Sequence, residues 1–191
     1  MIKSELGLLN CLAKVIRRDR GTARQYCCSA ISNLAVCVDN KIIMGRSDLG
    51  IIKGLQDVIT EDFGESRMIA CAALSHLATA TQNKLRMLRP EINVFHTLVE
   101  VLLGDKGKAG LFACSALMHM SMIPQNKGPM ASGDGGFIPV LIDTIWESDG
   151  KLCALACSCL ASLAAAVENR VYLVGGRHGV LEGLVHVMNT K

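Results

Sequence analysis

Aromatic residues make up only 4% of this 191-residue chain, and tryptophan occurs once, at Trp146. So few stacking side chains, none interleaved with basic residues, exclude an aromatic platform for nucleic-acid bases. Charge is nearly balanced, with 20 Lys+Arg against 17 Asp+Glu and a net charge of +3. No strong field of one sign is available to steer a polyanion. β-Branched runs with period-2 alternation are absent, which excludes an extended sheet. The first twelve residues are mixed and do not read as a secretory leader. The most apolar window, Leu152–Val167, contains Ser158 and Ser162 and is too short for a membrane span, so it is expected to be a core helix. The glycine run Gly133–Gly136 lacks the Lys-Ser/Thr of a phosphate loop and follows no strand, so it is expected to be a longer turn.

What the chain does have is a period. Asn40, Asn83, Asn126 and Asn169 follow one another at intervals of 43 residues. Leu12, Leu55, Leu98, Leu141 and Leu184 repeat at the same interval, as do Leu34, Leu77, Met120 and Leu163. Two columns hold small residues: Cys28, Cys71, Cys114, Cys157 and Ala30, Ala73, Ala116, Cys159. A further column reads Gly7, Gly50, Asn93, Gly136, Gly179. Glycine and asparagine enter the left-handed backbone region at the lowest cost, so this column predicts a sharp turn. A fixed period of this length marks a helical solenoid, in which each unit buries its apolar face against its neighbours.

The spacing within a period is helical, with the i, i+3, i+4, i+7 stripe visible in residues 24–37 and 67–80. One unit, 64–106, reads as a long helix over Glu65–Thr79, a break at Thr81–Gln82, and a short helix opened by Asn83. The Asn83 side chain is expected to cap free backbone N–H groups there. A turn at Asn93 leads to a third helix over Val94–Leu103. In the third unit, Gly128–Pro129 is expected to break the short helix. Trp146 ends that unit's third helix, where Ile142 and Ile145 suggest packing. The expected organisation is one solenoid over 1–191, with a partial repeat at 1–20 and repeats at 21–63, 64–106, 107–149 and 150–191. The nine cysteines recur at different levels of the stack, too far apart for disulfides, and read as small hydrophobes in a reducing compartment. Zinc or thiol chemistry through His76, His119 and the cysteines is disfavoured, because column mates cannot converge on one ion. No catalytic residue, metal ligand or cofactor is expected.

The segments Ala30–Ala35 (AISNLA), Ala73–Ala78 (ALSHLA) and Cys159–Ala164 (CLASLA) resemble the armadillo repeat. So do Gly136–Ile145 (GFIPVLIDTI) and the pairs Asn40–Lys41, Asn83–Lys84, Asn126–Lys127 and Asn169–Arg170. HEAT repeats share the period but are two-helix units that usually lack the asparagine motif. The resemblance covers nearly the whole chain. It implies an all-α, right-handed superhelical α-solenoid of about four three-helix repeats, with long helices lining a groove for an extended peptide or protein. It also implies a non-catalytic interaction scaffold.

In armadillo repeats an asparagine of the long helix holds the peptide backbone. The matching column here is Asn33, His76, His119 and Ser162, and only Asn33 keeps the family residue. The column one turn earlier, often tryptophan in the family, is Ser29, Ala72, Ser115 and Ser158. One turn later stand Cys37, Ala80, Ile123 and Ala166. Without the tryptophan array or an acidic groove, a nuclear-import adaptor is the lesser reading. A basic edge of Lys41, Lys84, Lys127 and Arg170, joined by Arg86 and Arg89, is expected to be a solvated helix start or a stripe for acidic partners. No nucleic-acid partner and no membrane span are expected, and the expected location is intracellular, in the cytoplasm or nucleus.

Leu8, Leu9, Leu12 and Val15 at one end, and Val180, Leu184 and Val187 at the other, are expected to be partly covered. Mean hydropathy is +0.34. These features suggest a segment of a longer array, or a homo-oligomer formed through the ends. The register itself is testable. Ala73→Leu should overpack the contact between long helices and cost about 1–3 kcal/mol; an unchanged urea midpoint would refute the register.

Overall fold

The computed structural model describes residues 2–132, 136–175 and 179–189. Among these residues there are thirteen α-helices and no strand. Helix α1 (Ile2–Arg18) comes first. Four triplets follow, each of a long, a short and a third helix. They are α2 (Thr22–Leu34), α3 (Val38–Met44), α4 (Ile51–Glu61); α5 (Gly64–Leu77), α6 (Thr81–Met87), α7 (Val94–Gly104); α8 (Lys108–Ser121), α9 (Pro124–Ser132), α10 (Phe137–Glu147); and α11 (Gly150–Ala164), α12 (Val167–Gly175), α13 (Val180–Asn189).

The helices gather into two compact units, residues 1–97 and 98–191, with the boundary inside α7. In the first, α2 packs on α5, α4 lies against α1 and α5, and α3 lies beside α6. In the second, α8 packs on α11, α10 lies against α11 and α13, and α9 lies beside α12. The periodic columns supply the core of both. Leu55, Leu98 and Leu141 are fully buried, as are Cys28, Cys71 and Cys114. The small columns let long helices approach closely, since alanine and cysteine project little beyond the backbone.

The turn column behaves as the sequence predicts at four of its five positions. Gly50, Asn93, Gly136 and Gly179 all have φ between +56° and +66°. Gly7 departs from the pattern: it lies inside the continuous helix α1. Of the glycine run, residues 133–135 lie outside the described residues.

The asparagine column does something other than the expected N-terminal capping. Asn83 is the third residue of α6, not its opening residue, and the helix start at Ala80 has no side-chain cap. Its Nδ2 instead donates back to the Leu77 carbonyl at 3.0 Å. Asn40, Asn126 and Asn169 donate in the same way to Leu34, Met120 and Leu163 at 3.1, 2.9 and 2.9 Å. All four carbonyls, at Leu34, Leu77, Met120 and Leu163, lie within the last two residues of a long helix. Terminal carbonyls have no intrahelical donor, and a carboxamide bends back to supply one. Two asparagines reach a second carbonyl in the preceding repeat of their own unit: Asn83 to Lys41 at 2.8 Å and Asn169 to Lys127 at 3.0 Å. One side chain thus ends a long helix and ties it to its neighbour.

A second set of terminal carbonyls belongs to the third helices. The Ile16 carbonyl accepts from Arg24 Nε at 2.9 Å and that of Ile59 from Arg67 Nε at 3.0 Å. The Leu102 carbonyl accepts from Lys106 Nζ at 3.0 Å. Cys153 Sγ makes the corresponding weak contact to Ile145 at 4.0 Å. Cations at a helix C-terminus also oppose the macrodipole. Arg24 is fully buried, and its two remaining nitrogens pair with Glu61 at 2.8 Å and Asp62 at 3.0 Å. In the third repeat the matching position is Gly110, where a Cβ would lie 1.7 Å from the Asp105 carbonyl oxygen. Lysine therefore reaches the carbonyl from the loop, because no side chain fits on the helix.

One further expectation is corrected. Helix α9 runs unbroken through Gly128–Pro129. Gly128 lacks the Cβ that would collide with the proline ring, so the helical conformation before Pro129 is less penalised.

Both capping systems carry measurable stability. Arg24→Ala should destabilise the chain by about 3–5 kcal/mol, since it removes a fully buried guanidinium that serves the Ile16 carbonyl and Asp62, while Glu61 keeps Arg20. Asn83→Ala should cost about 1–3 kcal/mol through its two carbonyls. Urea unfolding followed by far-UV circular dichroism checks both; a smaller loss for Arg24→Ala than for an exposed control such as Arg18→Ala would contradict the ion-pair assignment.

Candidate peptide-binding surface

The expected groove column falls near the C-terminal ends of the long helices. In the first unit, Asn33 is exposed on α2 and His76 is half-buried on α5. His76 is turned towards α2. Its Nδ1 lies 3.2 Å from the Ser32 carbonyl oxygen and 3.4 Å from Ser32 Oγ. The two contacts belong to different tautomers: protonated Nδ1 donates to the carbonyl, and bare Nδ1 accepts from the hydroxyl. Either way one ring nitrogen holds two long helices together and Nε2 is left for other use.

The second unit solves the same problem with a shorter side chain. Ser162 on α11 donates from Oγ to the Ser121 carbonyl at 2.8 Å. His119 on α8 is half-buried and engaged in a polar contact. The column one turn earlier is mixed. Ser29 donates to the Gln25 carbonyl of its own helix at 3.2 Å, Ala72 is buried, Ser115 is half-buried and engaged, and Ser158 is exposed. One turn later Cys37 is exposed, whereas Ile123 is buried. Each unit therefore presents its own pair of column residues: Asn33 with His76, and His119 with Ser162.

The basic edge is less uniform than a solvated stripe. Arg89 and Arg170 are exposed, and Lys41, Lys127 and Arg86 are half-buried. Arg170 Nε donates to the Ala164 carbonyl at 3.2 Å, and Arg86 Nη1 donates to Asn83 Oδ1 at 3.4 Å. Lys84 is buried, and that burial draws its ammonium pKa below the ordinary value. The expectation of a solvated lysine fails there because the long aliphatic stem is packed away from water. Arg170 thus serves a helix end as well as solvent.

All nine cysteines are free thiols. Burial pushes the Cys28 and Cys114 thiols up to about 12 and raises that of Cys159 as well. A thiol so shifted stays protonated and is a poor nucleophile and metal ligand. Among the described residues no three His, Cys, Asp or Glu side chains cluster where they could hold an ion. No described helix is long and apolar enough to cross a membrane.

Two contacts of the fold were not legible in the sequence. The Arg24–Arg67 column was visible at the 43-residue interval, but its helix-ending role needs the distance to Ile16 and Ile59. The stacking of Trp146 on His186, with ring centroids 4.1 Å apart, had no signal in the repeat pattern. Trp146 is half exposed there, not sequestered among the isoleucines.

No protein-family profile matches the chain, and no curated protein is similar to it in sequence. Solved structures do match. Two engineered proteins from the Northeast Structural Genomics Consortium are similar, with TM-scores of 0.83 and 0.84 and identities of 20% and 18%. Each match covers 96% of this chain, and 74% and 72% of the respective structures. A designed armadillo repeat protein in complex with the peptide (KR)4 matches with a TM-score of 0.81 at 15% identity, over 97% of this chain and 76% of its own. At these identities the likeness establishes the fold: the chain is an all-α, armadillo-type solenoid.

Thiol burial leads to a simple expectation. Cys11 and Cys37, which are exposed, should react within minutes with a thiol-disulfide reagent in native buffer. Cys28, Cys71, Cys114 and Cys159 should react only after denaturation. Mass spectrometry of the labelled chain reads the pattern; native labelling at Cys114 would contradict the packing.

Proposed function

We propose that this chain is a non-catalytic protein-interaction scaffold that binds an extended peptide or protein segment along its long helices. The observation that carries this reading is the long-helix column itself. Asn33 and His76 in one unit, and His119 and Ser162 in the other, repeat hydrogen-bonding side chains at the interval of the armadillo-type fold. An asparagine amide and an imidazole both donate to and accept from peptide backbone, so they grip a ligand without demanding its side-chain sequence. The designed armadillo structure in complex with a peptide supports the use of this fold for peptide binding. That peptide is basic, and the columns here contain no acidic residue, so the ligand proposed for this chain is mixed and apolar instead. Ser29, Ser115 and Ser158 give shallow walls in place of aromatic ones. Binding proceeds by equilibrium association, with no metal, cofactor or bond-making step.

A pull-down from cell extract with the 191-residue chain, run beside the His76→Ala/His119→Ala double variant, tests the assignment. The variant should keep its helical content, since His76 contributes one contact to Ser32. A partner captured by the first chain and reduced at least about ten-fold with the second places recognition on the long helices. A partner retained equally by both moves recognition to the basic edge or to the terminal repeats and refutes the assignment.

A further inference from the structure

The start of α4 is charged against its own helix dipole. Amide groups at a helix start are unpaired and carry partial positive charge, so acidic residues are favoured there and basic ones are not. Helix α13 follows that rule, with Glu182 in its first turn. At the same periodic position α4 has Lys53, and its first turn holds no acidic residue. Gly50, which precedes the helix in the left-handed region, brings no side-chain cap. Two further cations come from the neighbouring connections. Arg46 follows α3, and Arg89, at the next position of the same column, follows α6. The later repeats place Ser132 and Gly175 in that column, so the repeat does not require a cation there.

Arg46, Lys53 and Arg89 line one cavity of about 470 Å³, between the α3–α4 and α6–α7 connections of the first unit. Arg17 adjoins it, with Nη1 3.3 Å from where a Cβ on Gly50 would stand. These charges are unequally met. Asp48 holds Arg46 through Nε at 3.0 Å and Nη2 at 2.8 Å, which leaves Nη1. Lys53 pairs with Asp57 at 3.0 Å, and Arg17 uses Nε on the Ala13 carbonyl. Asp48 and Asp57 stand outside the cavity wall. Arg89 is exposed, and its guanidinium has no hydrogen bond or ion pair among the described residues. Glu91 is the carboxylate in the lining, and it opposes part of the positive charge.

We propose that this cavity binds a phosphoryl group. The observation that carries the assignment is the convergence of Arg46, Lys53 and the unpaired Arg89 on one cavity. Arginine forks and a lysine ammonium are donors only, and they match the oxygens of an anion. Donors on three separate segments suit a tetrahedral ion with three free oxygens; a carboxylate presents two oxygens in one plane. A phosphoryl group also brings a charge of about −1.5 to −2, enough to offset the cations gathered at the start of α4. The unpaired amides of that first turn add to the attraction. The site is separate from the long-helix column proposed for extended peptides and does not depend on it.

The isotope-labelled 191-residue chain is titrated with inorganic phosphate at constant ionic strength, and its amide and arginine Nε–H signals are followed by NMR. Saturable shifts are expected at Gly50, Lys53 and Arg89, with half-saturation below about 10 mM. Arg89→Ala should raise that concentration at least about five-fold, and Glu91→Gln should lower it at least about two-fold. Both residues are exposed, so circular dichroism should report an unchanged fold. The His76→Ala/His119→Ala variant should bind phosphate as the parent does, which separates this cavity from the peptide surface. A parallel titration with a peptide carrying a single phosphoserine distinguishes the sources. Tighter binding than inorganic phosphate assigns the site to a phosphorylated segment of a partner; equal or weaker binding assigns it to a small phosphate compound. Shifts that rise linearly to about 50 mM phosphate overturn the proposal. Equal half-saturation with the Arg89→Ala chain, or with acetate in place of phosphate, does the same.

Discussion

The long helix of each of the four described triplets ends on an asparagine amide. The constraint behind it is general: the last carbonyls of a helix have no donor in their own helix, and leaving them buried and unpaired is costly. Asn40, Asn83, Asn126 and Asn169 meet it from six residues downstream, at 2.9–3.1 Å. That bond sets where the chain turns from long to short helix. In Asn83 and Asn169 the same amide also reaches the preceding repeat, so ending a helix and stacking it become one event.

The third helices face the same constraint and satisfy it with changing chemistry. Arg24 and Arg67 donate from the long helix, Lys106 from the loop, and Cys153 only weakly. The physical demand repeats while the residue does not. Gly110 shows why: with the Asp105 carbonyl against the helix, no side chain fits, and the donor must come from elsewhere. Arg24 carries a second load as well, since its buried guanidinium holds Glu61 and Asp62.

Stacking also shapes what the surface can offer. His76 and Ser162 stand where a ligand-holding side chain belongs in the armadillo pattern, yet each uses one polar atom to hold the preceding long helix. A histidine has a second ring nitrogen to spare after this; a serine hydroxyl retains acceptor capacity. Under the proposed function, binding and cohesion draw on the same side chains.

The amino-acid sequence by itself determined the period, the helical class, the three-helix order and the left-handed turns, because each of these is written in local residue types at one fixed interval. Asn93 in a glycine column was enough to mark a turn, and its φ of +56° agrees. What only the tertiary structure decided were the partners of polar groups. Whether Asn83 caps the helix after it or the helix before it depends on a distance of 3.0 Å to Leu77, which no spacing rule contains. The burial of Lys84, the tilt of His76 towards Ser32 and the stacking of Trp146 on His186 are likewise contacts between residues distant in the chain. Periodicity names the columns; packing chooses which of their atoms meet.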